Sequence, residues 1–504
     1  MLSEIRSAPG PACPAAFNLA AHVLASAGRL ADRPALQILH PDRVDSLSYA
    51  ELEAAVLAVA AGLRALRLAP ASRILLRLGN SADFPLAFLG AVAAGHLPVV
   101  CPAALTAPEV TRLAAAVRPV LIVAAPGVSL PDPCPCPVVA VADLMAGGTG
   151  SGGYDLGDPD RPAYLIYTSG TSGQPRAVLH AHRAIWARRM MHQGWYGLRP
   201  DDRLLHAGAF NWTFTLGTGL LDPWTVGATA LVPAPGTAPG RIPDLAARHG
   251  ATILAAAPAL YRQMLKSMPL PPMPALRHGL TAGEKLADPV RDGWTATTGL
   301  PLYEAFGLSE CSTFVSASPA RPAAAGLTGY AQPGRSIAVL GPDGAVLPRG
   351  EPGILAVHRS DPGLFLGYFG AEVETKAKFH GDWFLTGDMA EMQTDGAIRI
   401  VGRGDDMMNA GGFRVSPDEV EAALMLCPGA GEVAVIEAAL APGKSIIAAC
   451  YTGPADPQTL RTHAAAHLAR YKQPRRYDRL ETLPRTANGK LNRRALRENF
   501  RIET

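Results

Sequence analysis

Short apolar runs alternate with longer segments of helical periodicity along most of this chain. That alternation constrains the fold more than any other feature. Asn18 to Gly28 and Tyr49 to Leu66 carry apolar residues at three- and four-residue spacing, which predicts helices. Between and after them, Arg73 to Leu78, Leu97 to Cys101 and Val120 to Ala124 read as strands. Strands separated by helices demand a parallel sheet covered on both faces, so the expected fold class is α/β. The Pro/Gly-rich stretches 126–137 and 147–162 read as surface loops. From Gly326 to Ile400 the texture changes to short strands and turns, with Gly341-Pro-Asp-Gly344 as the clearest turn, predicting a small β-rich subdomain. A compact α+β module follows. Its first helix carries an expected capping box, with Ser416 as N-cap, Pro417 first in the helix and Glu419 third. The expected division is 1–402 for a large N-terminal domain, with its β-rich part at about 326–400, and 403–504 for a small C-terminal one.

Composition excludes several classes. Hydrophobic residues make up 48% and charged residues 18%, a globular balance rather than a disordered one. The net charge is only +3 from 46 basic and 43 acidic residues, so no nucleic-acid field is implied. The most apolar stretch, Leu86 to Leu105, is broken by His96, Pro98 and Pro102 and does not read as a membrane span. Seven scattered cysteines, and an N-terminus without a basic region before an apolar run, point to a reduced, cytoplasmic protein. Cys134-Pro-Cys136 lacks a second pair at metal-ligand spacing.

Five motifs carry chemistry. In Tyr164-Leu-Ile-Tyr-Thr-Ser-Gly-Thr-Ser-Gly-Gln-Pro-Arg176 an apolar strand enters a loop of glycines and hydroxyls. Gly170 and Gly173 let backbone N–H groups converge on an anion, Thr168, Ser169, Thr171 and Ser172 add hydroxyls, and Arg176 adds charge. The spacing is not that of a Walker loop. The other four are Tyr303-Glu-Ala-Phe-Gly-Leu-Ser-Glu310, Trp383-Phe-Leu-Thr-Gly-Asp388, Gly402-Arg-Gly-Asp-Asp406 with Asn409-Ala-Gly-Gly-Phe-Arg414, and Pro484-Arg-Thr-Ala-Asn-Gly-Lys490. Each alone has a bland alternative: a flexible turn, a helix cap, an Asx-turn, a linker, an exposed lysine.

Together, and in this order, the five resemble the adenylate-forming superfamily of acyl-CoA synthetases, aryl-CoA ligases, adenylation domains and luciferases, from about Asn18 to Arg497. The resemblance implies that residues 168–173 and Arg176 hold the β- and γ-phosphates of ATP, with Arg176 and Ala177 standing where the family usually has Lys and Gly. It places Gly283, Glu284 and Phe306 around adenine, Ser309 at the α-phosphate, and Glu310 on Mg²⁺, where a hard cation bridging phosphates suits one carboxylate plus waters. Asp388 would bind the ribose beside Arg403, and Lys490 would be the catalytic lysine. Asp405 would be the hinge of a mobile C-terminal domain, and Gly411 and Gly412 would line the pantetheine tunnel. Lysines at the position of Lys490 can be silenced by acylation in acyl-CoA synthetases, which implies a lysine acetyltransferase as a partner.

The acid is narrowed by two residues. Asn211 stands where amino-acid-activating relatives place an aspartate, and Gly307 where acetyl-specific relatives place a tryptophan. The expected pocket is His206, Phe210, Trp212, Thr213, Thr281 and Gly307, and the expected substrate is an aromatic or medium-chain acid. No carrier domain follows Lys490 before Thr504, which favours free coenzyme A over a separate acyl carrier protein, the alternative acceptor. The oligomeric state is open, a homodimer included.

Overall fold

The computed structural model describes residues 1–8, 10–148, 153–168, 176–267, 269–404, 406, 408–410, 413–441, 444–468, 470–486 and 489–500. Contacts divide the chain into two compact units, one of residues 6–336 and 358–382, the other of residues 1–5, 337–357 and 383–504. The β-rich residues 337–357 and 383–400 therefore group with the C-terminal module, whereas the sequence reading set the whole stretch of about 326–400 with the N-terminal part.

The larger unit is α/β and holds two sheets. In the first, the strands run in the order Gly367–Tyr368, Arg176–Ala181, Pro162–Thr168, Leu97–Val100, Arg73–Arg77, Leu121–Ala124, Val138–Val139. Its middle is parallel and the Pro162–Thr168/Arg176–Ala181/Gly367–Tyr368 edge is antiparallel. The central strands are continuous apolar runs because both faces are buried. Helix Tyr49–Ala65 begins on a reciprocal capping box: Ser48 Oγ accepts from Glu51 N–H, and Glu51 accepts from Ser48 N–H. It buries Leu52, Val56, Val59 and Leu63 fully, each worth about 1.5–3 kcal/mol. Helix Asp83–Ala93 crosses it closely. A Cβ on Gly90 would lie 2.5 Å from Val59 Cγ1, so only glycine lets the two helices meet there.

The second sheet has nine strands: Tyr330–Ala331, Ser312–Ser316, Leu302–Leu308, His278–Ala282, Ile253–Ala255, Arg203–His206, Thr229–Pro233, Pro34–Leu39, Val44–Ser48. Six of these pair in parallel and the edges are antiparallel. In open sheets of this kind ligands bind beyond the carboxyl ends of the parallel strands, where His206, Thr281 and the Phe306–Glu310 segment lie.

In the smaller unit, Glu4–Ile5, Ile337–Leu340, Gly353–His358 and Trp383–Met392 pair in that order, and Ile398–Arg403 pairs with Trp383–Met392. The Gly341–Gly344 turn closes with Gly344 N–H on Gly341 C=O at 3.0 Å. The rest is the hairpin Met408–Ala410/Phe413–Val415, helix Pro417–Met425, the sheet Val433–Ala441/Lys444–Tyr451/Arg476–Arg479, and helices Pro457–His467 and Arg493–Asn499. The capping box expected at Ser416 is not formed. Ser416 is the N-cap, but its hydroxyl donates to Val401 C=O at 2.6 Å, and Glu419 instead pairs with Lys472. None of the seven cysteines is disulfide-bonded. Among the described residues no helix is long and apolar enough to cross a membrane.

Candidate active site

The glycine- and hydroxyl-rich motif is a β-hairpin. Tyr167 faces Ala177 and Thr168 faces Arg176 across its two strands. Ser169, Gly170, Thr171, Ser172 and Gly173 lie outside the described residues. Arg176, where the hairpin returns, pairs with Glu374 at 2.7 Å, and its guanidinium lies 4.9 Å from the centre of the Tyr368 ring.

The Tyr303–Glu310 motif runs along the strand Leu302–Leu308 and out of its carboxyl end. Phe306 is half-buried and meets Phe314 edge-on at 5.6 Å. The neighbouring strand ends at Ala282, opposite Ala305, so Gly283 and Glu284 emerge beside Phe306. Gly283 turns there with φ +94°. Ser309 is tied to this hairpin: His180 Nε2–H donates to Ser309 C=O at 2.7 Å, and the imidazole stacks on Tyr164 at 4.9 Å. Burial pushes the His180 pKa down to about 4, so the ring is neutral and Nε2 carries its proton. Glu310 accepts from the Tyr368 hydroxyl at 2.7 Å through Oε1, and its backbone C=O accepts from Phe365 N–H at 2.7 Å. Among the described residues no group of three or more His, Cys, Asp or Glu converges on one point. A half-buried carboxylate with one oxygen fixed fits Mg²⁺ held mainly by nucleotide phosphates and water.

Behind this turn lies a buried ion pair that sequence reasoning missed. Arg188 grips Asp222 with Nε at 2.8 Å and Nη2 at 2.6 Å, and Tyr196 donates to the same carboxylate at 2.7 Å. Burial opposes ionisation of Asp222, but Arg188 and His192 overcome it and hold the carboxyl below its usual range. The other face of Arg188, Nη1, donates to Ser312 Oγ, two residues beyond Glu310. Ser312 has φ +60°, a conformation unusual for serine. The pair is 34 residues apart in sequence and no short motif marks it.

The expected pocket residues divide. His206 Nδ1 accepts from Gly208 N–H at 3.1 Å, leaving the proton on Nε2, which is buried with no partner among the described residues. Burial lowers the His206 pKa to about 3. Thr281 Oγ1 is likewise buried without a partner. Thr213 lines a small cleft with Tyr164, Arg188, Gly217 and Ser309. Trp212 is half-buried, within reach of Gly283. Phe210 is 1% exposed and packs on Phe84 at 5.3 Å, so it is core rather than an open wall. Gly307 also needs a different explanation. A Cβ there would sit 2.2 Å from Ser312 O and 2.5 Å from Thr313 Cα, at a bulge between Phe306 and Gly307. Glycine is required by the backbone, so its missing side chain is not a measure of pocket size.

In the smaller unit Asp388 and Arg403 face each other across paired strands, with Nη1 to Oδ2 at 3.1 Å. Asp388 is 6% exposed, and its backbone N–H donates to Thr386 Oγ1 at 3.0 Å. Lys490 is exposed in a tight turn. Its C=O accepts from Thr486 N–H at 2.7 Å, and Arg485 pairs with Leu491 beyond it. Asn492 then caps the last helix, whose Arg493 binds Glu421 at 2.8 Å. Asp405, Gly411 and Gly412 lie outside the described residues.

Comparison with known proteins identifies the family. The model of the AMP-binding enzyme family matches residues 23–369, and that of the AMP-binding enzyme C-terminal domain residues 419–490. The chain is similar to the 3-hydroxybenzoate–CoA/4-hydroxybenzoate–CoA ligase of Thauera aromatica, 30% identical over 486 residues, 90% of this chain and 92% of that one. It is similar in structure to a benzoate CoA ligase from Burkholderia xenovorans LB400, with TM-score 0.86 and 26% identity over 95% of this chain and all of that one. ATP-bound MatB from Rhodopseudomonas palustris superposes with TM-score 0.87 at 27% identity, over 96% of this chain and 98% of that one. With both family models in their proper order and a relative matched almost end to end, the chain belongs to the AMP-binding enzyme family.

Proposed function

We propose that the chain is an AMP-forming acid–CoA ligase that uses ATP and Mg²⁺ to activate an aromatic acid of the benzoate type. The observation that carries this reading is the meeting of Arg176, Tyr368 and Glu310: a phosphate-side cation and a single metal-competent carboxylate share one tyrosine. The aromatic substrate is supported by the relatives, named as hydroxybenzoate– and benzoate–CoA ligases.

In this reading the acid carboxylate attacks the α-phosphorus of ATP, pyrophosphate leaves, and the thiol of CoA then displaces AMP. Glu310 would hold Mg²⁺, which when bound supplies neutralisation of phosphate charge. Arg176 and the 168–173 loop hold the β- and γ-phosphates, Ser309 the α-phosphate, and Gly283, Glu284 and Phe306 the adenine. Asp388 takes the ribose hydroxyls, with Arg403 orienting its carboxylate. His206 Nε2–H and Thr281 Oγ1, buried and unpartnered, are donors awaiting a polar group of the acid, with Trp212 and Thr213 beside them. Lys490 stabilises charge at the reacting oxygens. Residues 403–504 swing about Asp405, so that Lys490 serves the first step and Gly411 and Gly412 border pantetheine in the second. Lys490 is exposed, the accessibility a lysine acetyltransferase requires, and acetylation would remove the charge adenylation needs. Assembly as a homodimer belongs to the same reading and is checked by sedimentation.

The test is a pyrophosphate-release and thioester screen against benzoates, cinnamates and C3 to C12 fatty acids, with CoA. Aryl-CoA from a benzoate is expected. Lys490→Ala should lose acid-dependent ATP–pyrophosphate exchange by roughly 10²–10³, by analogy with loss of an oxyanion donor. It should still pass the acyl group from synthetic acyl-AMP to CoA. Thioester with no acid in the panel, or full exchange in Lys490→Ala, refutes the reading, and transfer only to a carrier protein replaces CoA as acceptor.

A further inference from the structure

The segment Phe365–Phe369 stitches two parts of the site together. Leu366 N–H and Phe369 N–H donate to Leu179 and Ala177 on the strand that begins at Arg176, each at 2.8 Å. Phe365 N–H donates to the backbone carbonyl of Glu310 at 2.7 Å. Between these anchors sits Tyr368, 4% exposed. Its own N–H is held by Thr375 Oγ1 at 2.9 Å. Its ring lies under the Arg176 guanidinium at 4.9 Å, and its hydroxyl donates to Glu310 Oε1 at 2.7 Å.

We infer that Tyr368 is a positioning residue that fixes the metal-side carboxylate and the phosphate-side cation relative to one another before nucleotide binds. Its hydroxyl occupies Oε1, so Glu310 presents Oε2 as the oxygen for the cation. Without that donor the carboxylate rotates, and its capture by Mg²⁺ must pay the ordering entropy at the moment of binding. The ring performs the second task by holding Arg176 in a plane beside the same carboxylate. Glu374 takes the remaining side of that guanidinium at 2.7 Å but is half exposed, so incoming phosphate can displace it where it cannot displace the buried tyrosine. This assignment rests on the nucleotide-binding part of the proposed function and is independent of the identity of the acid.

The experiment measures Mn²⁺ binding by electron paramagnetic resonance in the presence of α,β-methylene-ATP, which cannot be adenylated. Tyr368→Phe removes only the hydroxyl and keeps the ring. It should weaken Mn²⁺ binding in the nucleotide complex about five- to tenfold, the range for ordering one side chain at the moment of binding. Melting temperature and the KM for CoA should be unchanged. Glu310→Gln should weaken Mn²⁺ binding further, and adding Tyr368→Phe to it should cost nothing more, because the tyrosine acts through that carboxylate. Tyr368→Phe binding Mn²⁺ as tightly as wild type, or the two effects adding in the double variant, overturns the inference. A wild type that binds Mn²⁺ and the analogue yet forms no thioester would fail the proposed function alone and leave this assignment standing on the binding data.

Discussion

Glu304 gives the most quantitative test of the structure. It lies on the strand Leu302–Leu308, 7% exposed, accepting from Leu286 N–H at 3.0 Å with Arg291 Nη2 at 3.5 Å. Burial outweighs these partners and lifts its pKa from 4.5 to about 7. The folded state therefore holds a proton that the unfolded state has released. Below pH 4.5 both states are protonated and the fold carries no penalty. From pH 4.5 to 7 stability falls as pH rises, and above 7 the full penalty persists, roughly 3 kcal/mol at 1.36 kcal/mol for each tenfold change in proton affinity. Glu304→Gln keeps an acceptor for Leu286 and never ionises. Arg291 loses one weak partner and retains Asp288 at 2.6 Å, a loss of about 1 kcal/mol. The net gain at pH 8 is then about 2 kcal/mol, or a few degrees in melting temperature, with no gain at pH 4.5. Differential scanning calorimetry of both proteins from pH 4.5 to 8.5 reads this directly. Parallel curves over the whole range would show that Glu304 is ionised at no cost and refute the argument.

Two further outcomes follow from packing. Gly307→Ala forces a Cβ to 2.2 Å from Ser312 O and should destabilise by about 1–3 kcal/mol while raising the KM for ATP, read by urea unfolding and initial rates; unchanged values would mean the bulge relaxes freely. Arg188→Met leaves Asp222 charged and buried and should cost about 3–5 kcal/mol at pH 7, whereas adding Asp222→Leu should recover most of it, measured by urea unfolding.

Elements governed by local chemistry were legible in the sequence. Helix Tyr49–Ala65 was expected at 49–66, because its cap and apolar stripe lie in one window. Strands Arg73–Arg77, Leu97–Val100 and Leu121–Ala124 fell within one or two residues of expectation, since a doubly buried strand is a bare apolar run. The first helix was read too long: it spans Leu19–Val23, capped by Asn18, and then breaks into turns. At the C-terminal module the capping pattern misled, because the Ser416 hydroxyl turns to Val401 C=O, fifteen residues back, and Glu419 to Lys472. The site was legible where a motif concentrates it. The pairing of Asp388 with Arg403 was foreseen as adjacency, and the structure gives it as a cross-strand pair. Tyr368 was not foreseen, because its partner Glu310 is 58 residues away and a buried tyrosine has the same local pattern as core. Gly307 was read as an empty pocket wall when the reason for glycine is a backbone contact five residues on.

The stack of His180 on Tyr164 reaches beyond the protonation of one imidazole. Tyr164 lies on the strand that enters the hairpin, His180 lies on the returning strand, and the same ring clasps Ser309 from 129 residues away. The spacing between the strand pair that flanks the 168–173 loop and the turn at Ser309 is thus a gauge block, one aromatic layer plus one hydrogen bond. A mutation that thickens or thins that layer would shift Ser309 against those strands, and with it the spacing of the two places the proposed function assigns to phosphate, with every residue assigned to the nucleotide left intact.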